Sequence, residues 1–228
     1  TIHTGNGVYN FYGSNMTDHN ANKGGYHDIT LAEAIHASSN IGISRAVVKA
    51  FGNNPSAYVE KLYAMGFNEK MNIEIPGNDG PKIRHPKDKA RYWSKTTLPW
   101  MSIGYESQIP PIYTLAFYNA IANNGKLIRP FFVKALMQNG QTVKTFSTET
   151  IRESICKPTT LQIVRETLLG VKKKKKGTAK NVRSKYVRIA GKTGTAQISK
   201  GALGYKAGGK RHQVSFCGYF PADNPLYS

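Results

Sequence analysis

Stretches with apolar residues at helical spacing come first along the chain, and stretches that read as strands cluster late. Residues 1 to 29 are polar and rich in Gly and Asn, and read as loop with short extended pieces. Thr30 and Glu33 then have the spacing of a capping box, which satisfies free amides at a helix start. Leu31, Ala34 and Ile35 supply the apolar face of this first helix, and Ser38-Ser39-Asn40 interrupts it. A second helix is predicted with Ile43, Val47 and Phe51 on one face and Gly52 as its stop, and a third from about Ser56 to Met65, closed by Gly66. Residues 76 to 99 mix Pro, Gly, Asp and Lys and read as an irregular excursion. Tyr113 to Ala122 is a predicted helix ended by Asn124-Gly125, and Thr160 to Leu169 another. Strands are predicted over Leu127 to Met137 and Thr142 to Phe146, joined by a turn at Asn139-Gly140. Further strands are predicted over Tyr186 to Ala190, Thr193 to Ser199 and Val214 to Phe220. Helices come first and antiparallel strands cluster late, which is an α+β layout: an antiparallel sheet with helices packed around it.

Composition narrows the function classes. The 228 residues are 39% apolar and 11% aromatic, enough for a sizeable core. No apolar run reaches the length of a membrane-spanning helix. The formal charge is +19, and Thr167 to Ala222 contains no acidic residue. Such a field attracts anions, so nucleic acid is the first partner to weigh. No aromatic-basic motif or finger spacing accompanies the charge, and the run Lys172 to Lys176 reads as a solvated loop. No nucleic acid partner is therefore expected. Cys156 and Cys217 are too few and too far apart for a disulfide framework or a zinc site. They read as buried free thiols, with a single bridge as the alternative. The histidines His3, His19, His27, His36, His85 and His212 lack ligand spacing, so no metal is expected. His36 reads as a packing or surface residue.

Two short motifs carry candidate chemistry. Ser38-Ser39-Asn40 lies between two predicted helices and offers a hydroxyl at Ser38 and a carboxamide at Asn40. The hydroxyl can pass a proton, and the carboxamide can hold a substrate amide through paired hydrogen bonds. Read alone, the triplet is better explained as a helix cap. Lys192-Thr193-Gly194-Thr195 lies on a predicted strand. Side chains alternate along a strand, so Thr193 and Thr195 share a face suited to clamping a carboxylate, with Lys192 on the other unless the glycine twists the strand. Gly194 leaves room for a ligand backbone to lie alongside as an added strand.

In this order and on these elements the two motifs resemble the second and third signatures of the penicillin-binding proteins and β-lactamases, with Ser39 in place of the Asp of Ser-Asp-Asn. The surroundings extend the resemblance. "LAEAIHASSNIGISRAV" is similar to the segment around the second motif in class B penicillin-binding proteins, and "GYESQIPPIYTLAFYNAIANNGKLIRPFFV", "GTAKNVRSKYVRIAGKTGTAQ" and "SFCGYFPADNPLYS" resemble that family's later blocks. The resemblance runs over most of residues 1 to 228 and is closest to the division-type transpeptidase. Glu106 stands where many members carry glycine. No Ser-x-x-Lys precedes Ser38, and Ser94-Lys95, Ser184-Lys185 and Ser199-Lys200 have the wrong spacing. The chain is thus expected to be the back part of one transpeptidase domain, its fold incomplete at both ends. It is expected to lack the nucleophile's segment and the final strand and helix, and to be inactive by itself.

The resemblance implies serine acyl transfer on peptides ending in D-Ala-D-Ala, in peptidoglycan cross-linking. In that scheme Ser38 relays protons, Asn40 orients the peptide and Lys192 stabilises charge. Thr193 and Thr195 hold the terminal carboxylate beside Gly194, and the Thr195 amide is half of the oxyanion hole. No cofactor is required. The implied partners are the stem peptide, β-lactams and a cell-wall glycosyltransferase. The implied place is the periplasmic face of the cytoplasmic membrane, with one N-terminal anchor outside these residues. Two alternatives stand beside this reading: a penicillin-binding sensor domain and a basic nucleic-acid-binding protein.

Overall fold

The computed structural model describes residues 1–74, 76, 79–173, 177–179, 181–182, 184–198 and 212–228. The polar opening stretch is more ordered than its composition suggests. Strand β1 (Ile2–His3) pairs with β4 (Asp28–Ile29), and between them β2 (Val8–Phe11) and β3 (Ser14–Thr17) form a hairpin. Its turn places Tyr12 at φ +53° and Gly13 at +91°, the two positive angles that suit the twist of a hairpin.

The capping box forms as its spacing requires. Thr30 Oγ1 accepts from the Glu33 amide and the Glu33 carboxylate accepts from the Thr30 amide, opening α1 (Leu31–Ala37). Helix α2 (Asn40–Phe51) follows after two residues. Its fully buried positions are Ile41, Gly42 and Ser44, while Ile43, Val47 and Phe51 are half-buried. Small residues let α2 pack closely, and the Ser44 hydroxyl is satisfied by the Pro99 carbonyl at 2.8 Å.

A Cβ at Gly42 would lie 2.8 Å from Ala34 Cβ and 3.0 Å from Ser39 Oγ. Gly→Ala in an exposed helix is stabilising by up to about 1 kcal/mol. Here overpacking reverses the sign, and Gly42→Ala is expected to cost about 1–2 kcal/mol, measured as a lower denaturation midpoint. An unchanged or raised midpoint would contradict the packing account.

Helix α3 (Pro55–Leu62) runs into a π-helical turn, Tyr63–Phe67, where Gly66 takes φ +98°. The irregular excursion contains β5 (Lys82–Ile83), and α4 (Thr97–Met101) begins near its end. Strand β6 (Ser107–Gln108) pairs with β5 and fixes the excursion to the body. Helix α5 (Pro111–Ala122) buries Tyr113, Ala116, Ala120 and Ile121. The stretch predicted as one strand from Leu127 to Met137 is two, β7 (Leu127–Ile128) and β8 (Ala135–Gln138), because Pro130 between them cannot donate to a ladder. Strand β9 (Gln141–Thr145) pairs with β8 around the Asn139-Gly140 turn, and β10 (Thr150–Arg152) returns to β7.

Helix α6 (Pro158–Lys173) is longer than the predicted Thr160 to Leu169. Its Arg165 donates to the Ile121 and Ala122 carbonyls at 2.8 and 2.6 Å, satisfying the open C-terminus of α5. Residues Tyr186 to Ile189 are not a strand; β11 (Ala190–Gln197) starts where that stretch was expected to end. It pairs antiparallel with β12 (His212–Tyr219), Lys192 opposite Cys217 and Thr195 opposite Val214. Ser199, and all of the lysine run but the helical backbone of its first two residues, lie outside the described residues.

Among the described residues every sheet has two strands. Helix α6 packs on β11 and α5 on β12. Met71, Tyr113, Leu127, Leu161, Leu168, Ala190 and Tyr219 belong to the larger core, and Phe11, Met16 and Ile41 form a smaller one under the first hairpin. No described helix is long and apolar enough to cross a membrane.

Candidate functional site

The corner between α1 and α2 is built by a residue the motif leaves inconspicuous. Ser39, the middle of the triplet, is the N-cap of α2: its hydroxyl oxygen accepts from the Gly42 amide at 2.9 Å. The same hydroxyl donates to the Asp18 carboxylate at 2.6 Å, and the second Asp18 oxygen accepts from the Ile41 amide at 3.1 Å. Asp18 is 1% exposed. A buried carboxylate at a helix N-terminus meets both the unpaired amides and the positive end of the helix dipole. The capping work falls to Ser39 and Asp18, which frees Ser38 and Asn40 for other contacts.

Ser38 ends α1 in the left-handed region, at φ +53° and ψ +42°. That conformation costs a non-glycine residue about 1 kcal/mol. The Asn40 amide group donates to the Thr17 carbonyl at 3.2 Å, which fixes the head of α2 to β3.

The Lys192 amine on β11 donates to the Ser38 hydroxyl, bringing together residues 154 positions apart, and to its neighbour's carbonyl at Thr193. Burial lowers the Lys192 pKa from 10.5 to about 8. A half-buried amine with a pKa near neutrality and a hydroxyl in contact form a unit able to pass a proton.

Thr193 and Thr195 part company. The Thr193 hydroxyl lies 2.8 Å from that of Thr178, whereas Thr195, with Gly194, lines an open cleft of about 550 Å3. Asn40 lines the same cleft. Of the residues singled out in the sequence, Ser38 and Lys192 therefore touch each other, and Asn40, Gly194 and Thr195 share a cavity. Thr193 contacts the segment after α6 instead.

That segment is tied to α1 as well. The Thr178 amide donates to the His36 carbonyl at 3.2 Å, and the buried His36 ring reaches the Thr167 carbonyl at 3.0 Å. Gly170 makes this possible, because a Cβ there would lie 2.3 Å from His36 Nε2. His36 is thus a packing residue that sets the distance between the two motif-bearing elements.

Sequence reasoning missed Asp18, Thr178 and the opposite wall of the cleft. That wall comes from the excursion and the following turn, with Lys82, Arg84, Arg91, Tyr105 and Glu106 among its residues. One Ser-x-x-Lys spacing, Ser154 to Lys157, lies downstream on the link between β10 and α6. There the Ser154 hydroxyl donates to the Cys156 carbonyl at 2.6 Å, and neither residue lines the cleft. Cys156 and Cys217 are free thiols, and burial raises the pKa of each.

A family model described as the penicillin binding protein transpeptidase domain matches residues 2–228. Stage V sporulation protein D of Bacillus subtilis is 29% identical over 205 residues, 89% of this chain and 30% of that protein. The peptidoglycan D,D-transpeptidase FtsI homolog of Mesostigma viride is 25% identical over 212 residues, 87% of this chain and 34% of that protein. Among solved structures, the transpeptidase domain of Burkholderia pseudomallei penicillin-binding protein 3 is 26% identical with a TM-score of 0.76, covering 98% of this chain and 60% of that one. The chain spans about a third of the length of the curated relatives it matches. With its α+β fold and its paired motifs, this chain belongs to the penicillin-binding protein transpeptidase family.

Proposed function

We propose that these residues form the second- and third-motif part of a D,D-transpeptidase site, the observation that carries it being the Lys192 amine on the Ser38 hydroxyl beside the cleft. The reaction is acyl transfer. A serine from a part of the longer protein preceding these residues attacks the penultimate D-Ala carbonyl of a stem peptide. Its proton passes through the Ser38–Lys192 unit to the departing amine of the last D-Ala. The amine of a second peptide then attacks the acyl-enzyme ester, forms the cross-linking amide and returns the serine hydroxyl. Asn40 orients the donor peptide, Lys192 stabilises the developing charge, and Thr195, with Thr193 on the same strand, holds the terminal carboxylate beside Gly194. The Thr195 amide supplies one oxyanion donor. In this reading residues 1–228 are the C-terminal part of one transpeptidase domain. The enzyme works on the periplasmic face of the cytoplasmic membrane, held by an N-terminal anchor, next to a glycosyltransferase of the cell-wall machinery. β-Lactams enter as mimics of the D-Ala-D-Ala end.

The test is covalent labelling of the full-length protein with a fluorescent penicillin. The label is expected on a serine upstream of Ser38, and Thr195→Val is expected to slow labelling about tenfold by removing one hydrogen bond to a charged carboxylate. A label mapped to Ser38 would reassign the nucleophile, and failure of the full-length protein to label at all would remove the reading.

A further inference from the structure

The hairpin of β8 and β9 is joined to no other described strand. Its sheet has these two strands alone, so each keeps one edge of N–H and C=O groups turned away from its partner. All five residues of β9 are exposed, as are Leu136, Met137 and Gln138 of β8. A free edge of this kind is a template for another chain. The ladder fixes which side chains share a face. The Phe146 amide donates to the Lys134 carbonyl at 2.9 Å, Ala135 lies opposite Thr145, and Leu136 lies opposite Lys144. Alternation puts Lys134, Leu136, Lys144 and Phe146 on one face, where the Lys144 amine sits 4.8 Å from the centre of the Phe146 ring. Ala135, Met137 and Thr145 take the other face. Leu136 is 49% exposed and Met137 65%, so both faces carry open apolar surface. The charge is of one sign. Residues 107 to 148 hold Lys126, Arg129, Lys134 and Lys144 and no acid. Lys126 pairs with Glu153 at 3.0 Å and Arg129 with Glu149 at 2.8 Å, whereas Lys134 and Lys144 form no ion pair among the described residues.

We infer that the outer edge of β9 is a docking site for an extended segment of another polypeptide, one that alternates acidic and apolar residues. A strand added at an edge hydrogen-bonds through its main chain and sends its side chains alternately to the two faces. Its acidic residues then lie beside Lys144, with Lys134 behind it, and its apolar residues extend the face of Ala135 and Met137. Other occupants match the hairpin less well. A surface laid on the ribbon covers one face and leaves the apolar side chains of the other in water. A bilayer would have to take in the tip, where Gln138, Asn139 and Gln141 flank Gly140 with three carboxamides. A second copy would set lysine against lysine in a chain of formal charge +19. Neither strand lines the cleft described above.

The experiment measures binding of fluorescein-labelled heptapeptides to the full-length protein by anisotropy. One peptide alternates glutamate and valine, a second alternates lysine and valine, and a third has the composition of the first with its glutamates in one block. The first is expected to bind about fivefold more tightly than either of the others at low salt, its margin over the lysine peptide shrinking as salt screens the pairs. The Thr145 amide faces the free edge, because its neighbour Phe146 is paired inwards. Thr145→Pro therefore removes an edge donor without breaking the ribbon, and should abolish binding at an unchanged denaturation midpoint. Lys144→Glu, which leaves the backbone untouched, should turn the preference to the lysine peptide. Equal binding of the three peptides, absence of binding by the first, or a preference unaltered in both variants would overturn the edge site. A concentration-dependent dimer that Thr145→Pro dissolves would assign the edge to a second copy instead. Cosedimentation with phosphatidylglycerol vesicles that Met137→Ser abolishes would assign the hairpin to a lipid surface instead.

Discussion

Replacing Lys192 by methionine in the full-length protein is expected to lower the rate of D-alanine release about a thousandfold, the midrange for loss of a positioned proton-transfer group. Methionine keeps most of the volume and removes the amine that contacts Ser38. The pH dependence separates this from a loss of packing. Burial holds the folded-state Lys192 pKa at about 8, against 10.5 for the free side chain. As pH rises through 8 the amine loses the charge that stabilises the transition state, so the rate of the unmodified enzyme should fall through that range. The Lys192→Met variant should lack that limb. Stability carries the same signature. Below pH 8 the lysine is charged in both states, and its burial is a cost. Between pH 8 and 10.5 the unfolded chain keeps a proton that the folded chain has released, so this group's contribution to stability improves with rising pH. The gap between the denaturation midpoints of the two proteins should therefore change between pH 7 and 10, and a constant gap would show that Lys192 does not titrate in this window.

Loss of Asp18 should be the largest effect on the fold. Asp18→Ala strands the Ile41 amide and the Ser39 hydroxyl in a site 1% exposed. Each buried group left without a partner costs about 1–3 kcal/mol, so a loss of about 3 kcal/mol is expected, read from urea unfolding with the slope unchanged. Asp18→Asn keeps one acceptor oxygen and should lose about half as much. Penicillin labelling of the full-length Asp18→Ala protein should fall even below its melting range, because Ser38 and Asn40 are placed by the cap that Asp18 holds. A stable Asp18→Ala protein with normal labelling would show that Ser39 caps α2 unaided.

The sequence made local devices legible and left long-range ones hidden. The capping box at Thr30 and Glu33 and the turn at Asn139-Gly140 are written within a few residues, and both form as read. The face of α2 was not legible in the same way. Ser44 is buried because a carbonyl 55 positions away satisfies it, which no hydropathy pattern records. Strand β11 was expected to start at Thr193, after a separate strand over Tyr186 to Ala190; it starts at Ala190 because pairing with β12 carries the ladder back through Gly191. The hairpin over Val8–Thr17 was hidden among polar residues, although Tyr12-Gly13 was its turn signal. The motifs gave Ser38, Asn40, Lys192, Gly194 and Thr195 without their framework. Asp18, the His36–Thr167 contact and the Arg84–Glu106 pair depend on partners 21 or more positions away, and only folded geometry names them.

The contact between Ser38 and Lys192 also sets when the site comes into being. The α1–α2 corner rests on Asp18 and Thr17, about twenty positions upstream, and can form early as a local unit. Lys192 arrives only after a loop of 154 positions has closed and β11 has docked on β12 and α6. Closing so long a loop is cheap in equilibrium terms, since each doubling of length adds only about 0.6 kcal/mol, but contacts of high sequence separation are reached slowly. A chain emerging from synthesis therefore carries Ser38 and Asn40 in place well before it has a lysine to meet them. Until that closure the Ser38 hydroxyl has no amine beside it.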